Sequence, residues 1–190
     1  SNYILEGNEV ESIEYVDDTL KLTFTSDFIN AVELHLRIKN IEDEHQNVIA
    51  DTIIDLFYFE RIQADWGSLV INEIFPDPTP SVGALPDESD AEFIEIYNPG
   101  PHPYNLLNWK LNGNSLPDFI LPANEYVILC KLNFQAAYTK YGNVINLSSW
   151  PTLPNSGGSI VLQDDAMTII DSIGYISALV EEGVSLERIF

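Results

Sequence analysis

The second half of the chain is a succession of short β-prone segments, each ended by a turn former. They run LVINEIFPDP (69–78), AEFIEIYNPG (91–100), LLNWKL (106–111), LPNSGGSIVL (153–162), IIDSIGY (169–175) and GVSLERI (183–189). Each is a few β-prone residues ending in a turn former, and their close spacing predicts a small all-β sandwich rather than a pocket. Pro76, Pro78 and Pro80 stop the first strand and Asn98-Pro99-Gly100-Pro101 the second, because proline can neither donate to a ladder nor leave its fixed φ. Asn112-Gly113 predicts a two-residue hairpin, and Asn155-Ser156-Gly157-Gly158 another tight turn. A helical spacing occurs at Phe134, Ala137, Tyr138 and Tyr141, so one short helix is expected over 133–141 with Gly142 as its cap.

The first sixty or so residues have a different texture. Stretches rich in Ile, Leu, Val, Phe, Tyr and Thr span 11–16, 19–25, 32–41 and 52–60, separated by Asp17-Asp18, Ser26-Asp27 and a polar run over 42–47. Leu20, Leu22 and Phe24 alternate with Lys21, Thr23 and Thr25, and Leu34, Leu36 and Ile38 with His35, Arg37 and Lys39. This period of two predicts an antiparallel sheet with one face buried. Four strands are few for an independent sandwich, so the region is expected to be part of a larger domain. Alternation is lost over 61–67, which places a linker near Asp65 and divides the chain into domains 1–64 and 67–190.

Charge narrows the function. The 190 residues include 30 acids against 8 bases, a formal net charge of -22. The acids lie on both sides of Trp66, so the whole surface is acidic rather than one tail. Such a field repels nucleic acid, whose binding depends on Lys and Arg contacts to phosphate. No apolar run reaches the roughly 20 residues of a membrane helix, so no direct membrane insertion is expected. Cys130, in the apolar segment EYVILCKL, has no partner for an intrachain disulfide and is expected on a buried strand. Asn146-Leu147-Ser148 fits the short pattern for N-glycosylation.

Taken in order, the signatures of the second half resemble the lamin tail domain, an Ig-like β-sandwich. An I-N-E-I strand is matched by Ile71, Asn72, Glu73 and Ile74, and E-x-I-E-L-Y-N by Glu92, Ile94, Glu95, Tyr97 and Asn98 with Ile96 for leucine. L-x-G-W-x-L is matched by Leu106, Trp109 and Leu111, with Asn108 where glycine is usual. Later elements find Asn155, Gly157, Asp171, Ser172 and Tyr175, and the closing G-x-S-L-E-R finds Gly183, Ser185, Leu186, Glu187 and Arg188. In the first region, 40–59 is similar to the end of bacterial Ig-like domains of surface-layer proteins: Asp43 and Asn47 match the pattern, and Gln46 stands where it has glycine. These resemblances imply two tandem Ig-like β-sandwich modules, the N-terminal one partial. They also imply an extracytoplasmic location, whether secreted, periplasmic or on the cell surface.

The residues that remain are few. Trp109, among leucines, is expected to anchor the core, and Trp66 and Trp150 to pack beneath loops. Glu73, Glu92 and Glu95 could form an acid-base pair only in a cleft of defined width, and are expected instead to pair with Lys110 or Arg188 or to accept backbone bonds. The loop holding Asp87, Glu88, Asp90 and Glu92 is dense in oxygen ligands but lacks EF-hand spacing, so it reads as a solvated loop. If the chain holds a metal, calcium at Asp87, Asp90 and Glu92 is the first choice, with Asp164-Asp165 the second. His35, His45 and His102 stand far apart in sequence, and no hydrolase or metalloenzyme motif accompanies them. The expected function is therefore a non-catalytic structural or adhesive module of an exported bacterial protein, contacting protein or glycan, with no catalytic residues and no organic cofactor. Two alternatives stand beside it: an accessory module of an exported nuclease or phosphatase whose catalytic domain lies elsewhere, and a calcium-dependent binding module.

Overall fold

A computed structural model describes residues 2–81, 83 and 85–189. The chain forms two compact units that divide between Glu60 and Arg61. The break falls there because Ile62 and Ala64 already pack into the core of the second unit. No helix is long and apolar enough to cross a membrane among the described residues.

In the first unit, β1 (Tyr3–Leu5), β4 (Val32–Ile38) and β5 (Thr52–Tyr58) form an antiparallel sheet in the order β1-β4-β5, and β2 (Val10–Val16) and β3 (Thr19–Phe24) form a hairpin. The inward positions of the two alternating strands, Leu20, Leu22 and Phe24 on β3 and Leu34, Leu36 and Ile38 on β4, pack around Tyr3 and Leu5. The expected half-buried sheet is present, but β1 is too short to carry a readable period. Strand β5 departs from the expectation: Thr52 to Phe57 are all exposed, with Ile53 at 62% and Phe57 at 55%. It lies at the sheet edge, and the cluster that covers the inner face draws on β1 to β4 rather than on β5. The turn before it is closed by Asp43, whose carboxylate accepts bonds from the His45 and Asn47 backbone N–H groups at 2.8 and 2.9 Å and from the Asn47 amide at 2.7 Å. The Asn47 bonds, with a smaller contribution from His45, hold the Asp43 carboxyl below its usual range.

The second unit is an all-β Ig-like sandwich with one short helix. One sheet has the order β13-β12-β7-β6-β16, from β6 (Val70–Phe75), β7 (Phe93–Tyr97), β12 (Tyr126–Lys131), β13 (Asn143–Leu147) and β16 (Leu186–Glu187). The facing sheet, β10-β9-β14-β15, is built from β9 (Lys110–Leu111), β10 (Asn114–Ser115), β14 (Gly157–Gln163) and β15 (Ile169–Ile176). The pair β8 (Tyr104–Asn105) and β11 (Ile120–Leu121) stands apart from both. Alternation on β7 and β12 sends Ile94, Ile96, Val127 and Leu129 into the sandwich core beside Trp109, Leu111, Ile160 and Ile170. The other face of the same strands supplies Phe93, Ile128 and Cys130 to a second cluster, closed by Phe134 and Tyr138. That cover is smaller than the helix expected over 133–141, being a 3-10 turn (Leu132–Phe134) and then α1 (Gln135–Tyr138). Phe134 and Tyr138 are buried in it, and the Tyr138 hydroxyl donates to the Ala91 carbonyl. Burial pushes the Cys130 thiol up to about 11, so it stays protonated and inert.

Local chemistry sets the corners. A bulge between Ile71 and Glu73 lets Ile71 and Ile74 both face the sandwich core despite their spacing of three. The expected Asn112-Gly113 hairpin joins β9 to β10, with both residues at positive φ, +46° and +81°, as a primed two-residue turn requires. Asn98 is fully buried, and its amide donates to the His102 and Pro122 carbonyls at 2.8 Å while its carbonyl oxygen accepts from the Gly100 N–H at 3.1 Å.

One polar contact joins the two sheets. Asp171 on β15, 2% exposed, accepts a hydrogen bond from the Ile71 backbone N–H of β6 at 2.6 Å and pairs with the Arg188 guanidinium at 2.8 Å. Removing one member of such a buried pair leaves an unpaired charge and an unbonded N–H, which costs about 3–5 kcal/mol. Asp171→Ala is therefore expected to lower the unfolding free energy of the second unit by about that amount, measured by chemical denaturation. Arg61→Ala, which breaks an exposed pair with Asp165, is expected to cost at most about 1 kcal/mol.

Candidate functional site

The acidic loop is organised by single contacts rather than by a shared centre. The Asp87 carboxylate accepts the Ser81 N–H at 2.8 Å, folding the loop back on itself, and Asp90 pairs with Lys131 of β12 at 2.9 Å. Glu92 lies inward and accepts the Trp150 indole N–H at 2.6 Å. Its burial raises the carboxyl pKa, partly offset by the Trp150 bond. Asp87, Asp90 and Glu92 thus bind three different partners, and no three His, Cys, Asp or Glu donors converge in this loop among the described residues. The second acidic pair is similarly engaged. Asp164 is 2% exposed and accepts the Thr168 N–H at 2.7 Å within a turn, while Asp165 pairs with Arg61.

The tryptophans take different positions. Trp109 is buried in the sandwich core and Trp150 packs against its edge, whereas Trp66 is 66% exposed rather than tucked beneath a loop. Asn146, in the glycosylation pattern, lies on β13 and donates its side-chain amide to Gln135 at 2.6 Å.

A row of carboxylates crosses the outer face of the larger sheet. Glu187 is opposite Glu73, and Glu73 is opposite Glu95, on the adjacent strands β16, β6 and β7. Like charges directly opposite one another destabilise a sheet. Their expected partners are occupied elsewhere, since Arg188 turns to Asp171 and Lys110 to the Ser115 hydroxyl. The Asn72 amide bonds Glu95 instead, at 2.8 Å. Burial raises the Glu95 carboxyl pKa, and the charges of Glu73 and Glu187 add to it. Beyond Glu95 on the same face, the Tyr97 and Tyr126 rings stack with centroids 4.2 Å apart and planes at 17°.

The described residues do bring one set of mixed ligands together, and it lies in the first unit. His35 on β4 is directly opposite Asp55 on β5, with Nδ1 2.8 Å from Oδ1. Glu33, two residues earlier on β4, completes a group in which one donor atom from each residue lies within 4.8 Å of the others. The hydrogen bond to Asp55 raises the His35 pKa. Sequence reasoning missed this set because Asp55 meets His35 only through strand register. The i, i+2 spacing of Glu33 and His35 on one strand face was the available signal.

Compared with known proteins, residues 63–177 match the family model described as Lamin Tail Domain. No curated protein matches the chain.

Burial of Glu95 has a measurable consequence. A carboxyl whose folded pKa is raised contributes stability that is fully present below its unfolded value, about 4.3, and lost as pH rises through the folded value. Glu95→Gln keeps the acceptor for Asn72 and removes the disfavoured charge. The variant is expected to melt above the wild type at about pH 7 and together with it at about pH 3, followed by thermal denaturation across that range.

Proposed function

The chain belongs to the lamin tail domain family, and on that premise we propose that it serves as a non-catalytic structural or adhesive module of an exported bacterial protein, contacting protein or glycan at the cell surface. The family is an Ig-like one, compatible with a non-catalytic module. The observation that carries the reading is where the polar motif residues go. Asn98 ties the His102 loop to Pro122 ahead of β12, Asp171 and Arg188 close the sandwich, Glu92 holds Trp150 and Glu95 holds Asn72. Side chains engaged in this way position backbone and core, and none forms the nucleophile-and-base geometry that hydrolysis requires.

Recognition then belongs to loops and strand edges. Strand β5 offers an exposed sheet edge with apolar side chains at Ile53 and Phe57, which suits strand addition by a partner. The acidic surface favours partners that are neutral or basic and excludes nucleic acid.

Incubating the purified chain with phosphodiester, ester and glycosidic substrates is expected to give no turnover. Hydrolysis that disappears in Glu73→Gln, Glu92→Gln or Glu95→Gln would overturn the non-catalytic reading. Fluorescently labelled chain is expected to bind bacterial cells, with protease treatment of the cells removing a protein partner and periodate a glycan. Unchanged labelling after both treatments, or none before them, would count against adhesion.

A further inference from the structure

The outer face of the β1-β4-β5 sheet carries a chemistry that the module reading does not use. Glu33, His35 and Arg37 project from alternate positions of β4, the middle strand, and His35 and Arg37 are opposite Asp55 and Ile53 of β5. On the other side Ile4 is opposite Arg37, and Glu6 follows the end of β1. Sheet register therefore centres one imidazole among carboxylates from separate positions.

The geometry points to a new site: we propose that Glu33, His35 and Asp55 bind one divalent transition-metal ion of the zinc class on the surface of the first unit. One donor atom from each residue lies within 4.8 Å of the other two. Tetrahedral zinc, with N and O ligands at about 2.0–2.2 Å, holds its donors roughly 3.4 Å apart. The side chains of His35 and Asp55 are 51% and 69% exposed, so small rotations bring the three onto one ion without disturbing the core.

The donor set selects the metal. An imidazole nitrogen with two carboxylates suits borderline ions such as zinc, whereas calcium takes about six to eight oxygens and gains little from nitrogen. Two carboxylates drawn toward one imidazole repel each other, and a dication relieves that repulsion while their charges neutralise it. The two strands also hold the ligands on a paired backbone rather than on a loop, which lowers the cost of assembling them.

Three protein ligands leave a zinc ion a fourth position for water or an exogenous group. Beside the set, His35 borders a surface recess of about 280 Å3 that is also lined by Ile4, Glu6, Arg37 and Ile53. Arg37 is held by Asp51, with Nε 2.8 Å from Oδ1. The recess gives that fourth ligand room, and its Ile4 and Ile53 walls favour one with an apolar part. The Glu33–His35–Asp55 site lies outside residues 63–177, so its fate is independent of the reading given to the lamin tail domain.

Calorimetric titration of the chelator-treated 190-residue chain with zinc chloride, near neutral pH in a non-coordinating buffer, tests the site. The expected result is saturable uptake of one equivalent. His35→Ala and Asp55→Asn should each weaken it by about tenfold or more, while His45→Ala and Asp87→Asn leave it unchanged. Circular dichroism without metal checks that the variants fold. Should His35→Ala disturb folding, Glu33→Gln, which leaves the His35–Asp55 bond intact, is expected to weaken uptake in its place. Uptake that does not saturate, that is unchanged in the folded His35 or Glu33 variant, or that equimolar calcium displaces would overturn the proposal.

Discussion

The contact on which the sandwich most depends is the buried carboxylate of Asp171. It lies on β15 of one sheet, accepts the Ile71 backbone N–H of β6 in the other, and holds Arg188 just beyond β16. A sandwich is otherwise joined by apolar packing, which is non-directional and tolerates sliding of one sheet over the other. A charge with two directed partners sets that register. It also draws the closing strand onto the edge of β6, where the Arg188 N–H donates to the Asn72 carbonyl at 2.7 Å. Residues that are distant in sequence thus become one structural unit.

Positive φ occurs at two positions where the sequence patterns noted above carry glycine. Asn108 replaces a usual glycine and adopts φ +65°, while Gln46, where the first region's pattern has glycine, adopts +63°. Asparagine tolerates this conformation comparatively well, glutamine less so. Around Gln46 the Asp43 carboxylate accepts three hydrogen bonds that close the turn and offset the strain.

Much of the second unit was legible in advance because its information is local. Turn formers marked the strand ends, the Asn112-Gly113 turn appears as expected, and Trp109, expected to anchor the core, is buried in it. The bulge at Ile71 to Glu73 was not legible, since it depends on how two strands meet. The glutamates show the same limit. Their types and positions were plain, but the row formed by Glu187, Glu73 and Glu95 exists only through strand pairing, as does the diversion of Arg188 to Asp171.

The first unit draws the division most clearly. Alternation along β3 and β4 determined which side chains face inward, because the period of two is a property of a single strand. The exposure of β5 was decided by its place at the sheet edge, beyond the apolar cover. Likewise, His35 and Asp55 are twenty positions apart in the chain and meet because β4 and β5 pair in one register. By itself the sequence determined the strands, the turns and an acidic, family-specific sandwich. Tertiary structure alone decided which charges became neighbours, since that depends on cross-strand distance and no local pattern encodes it.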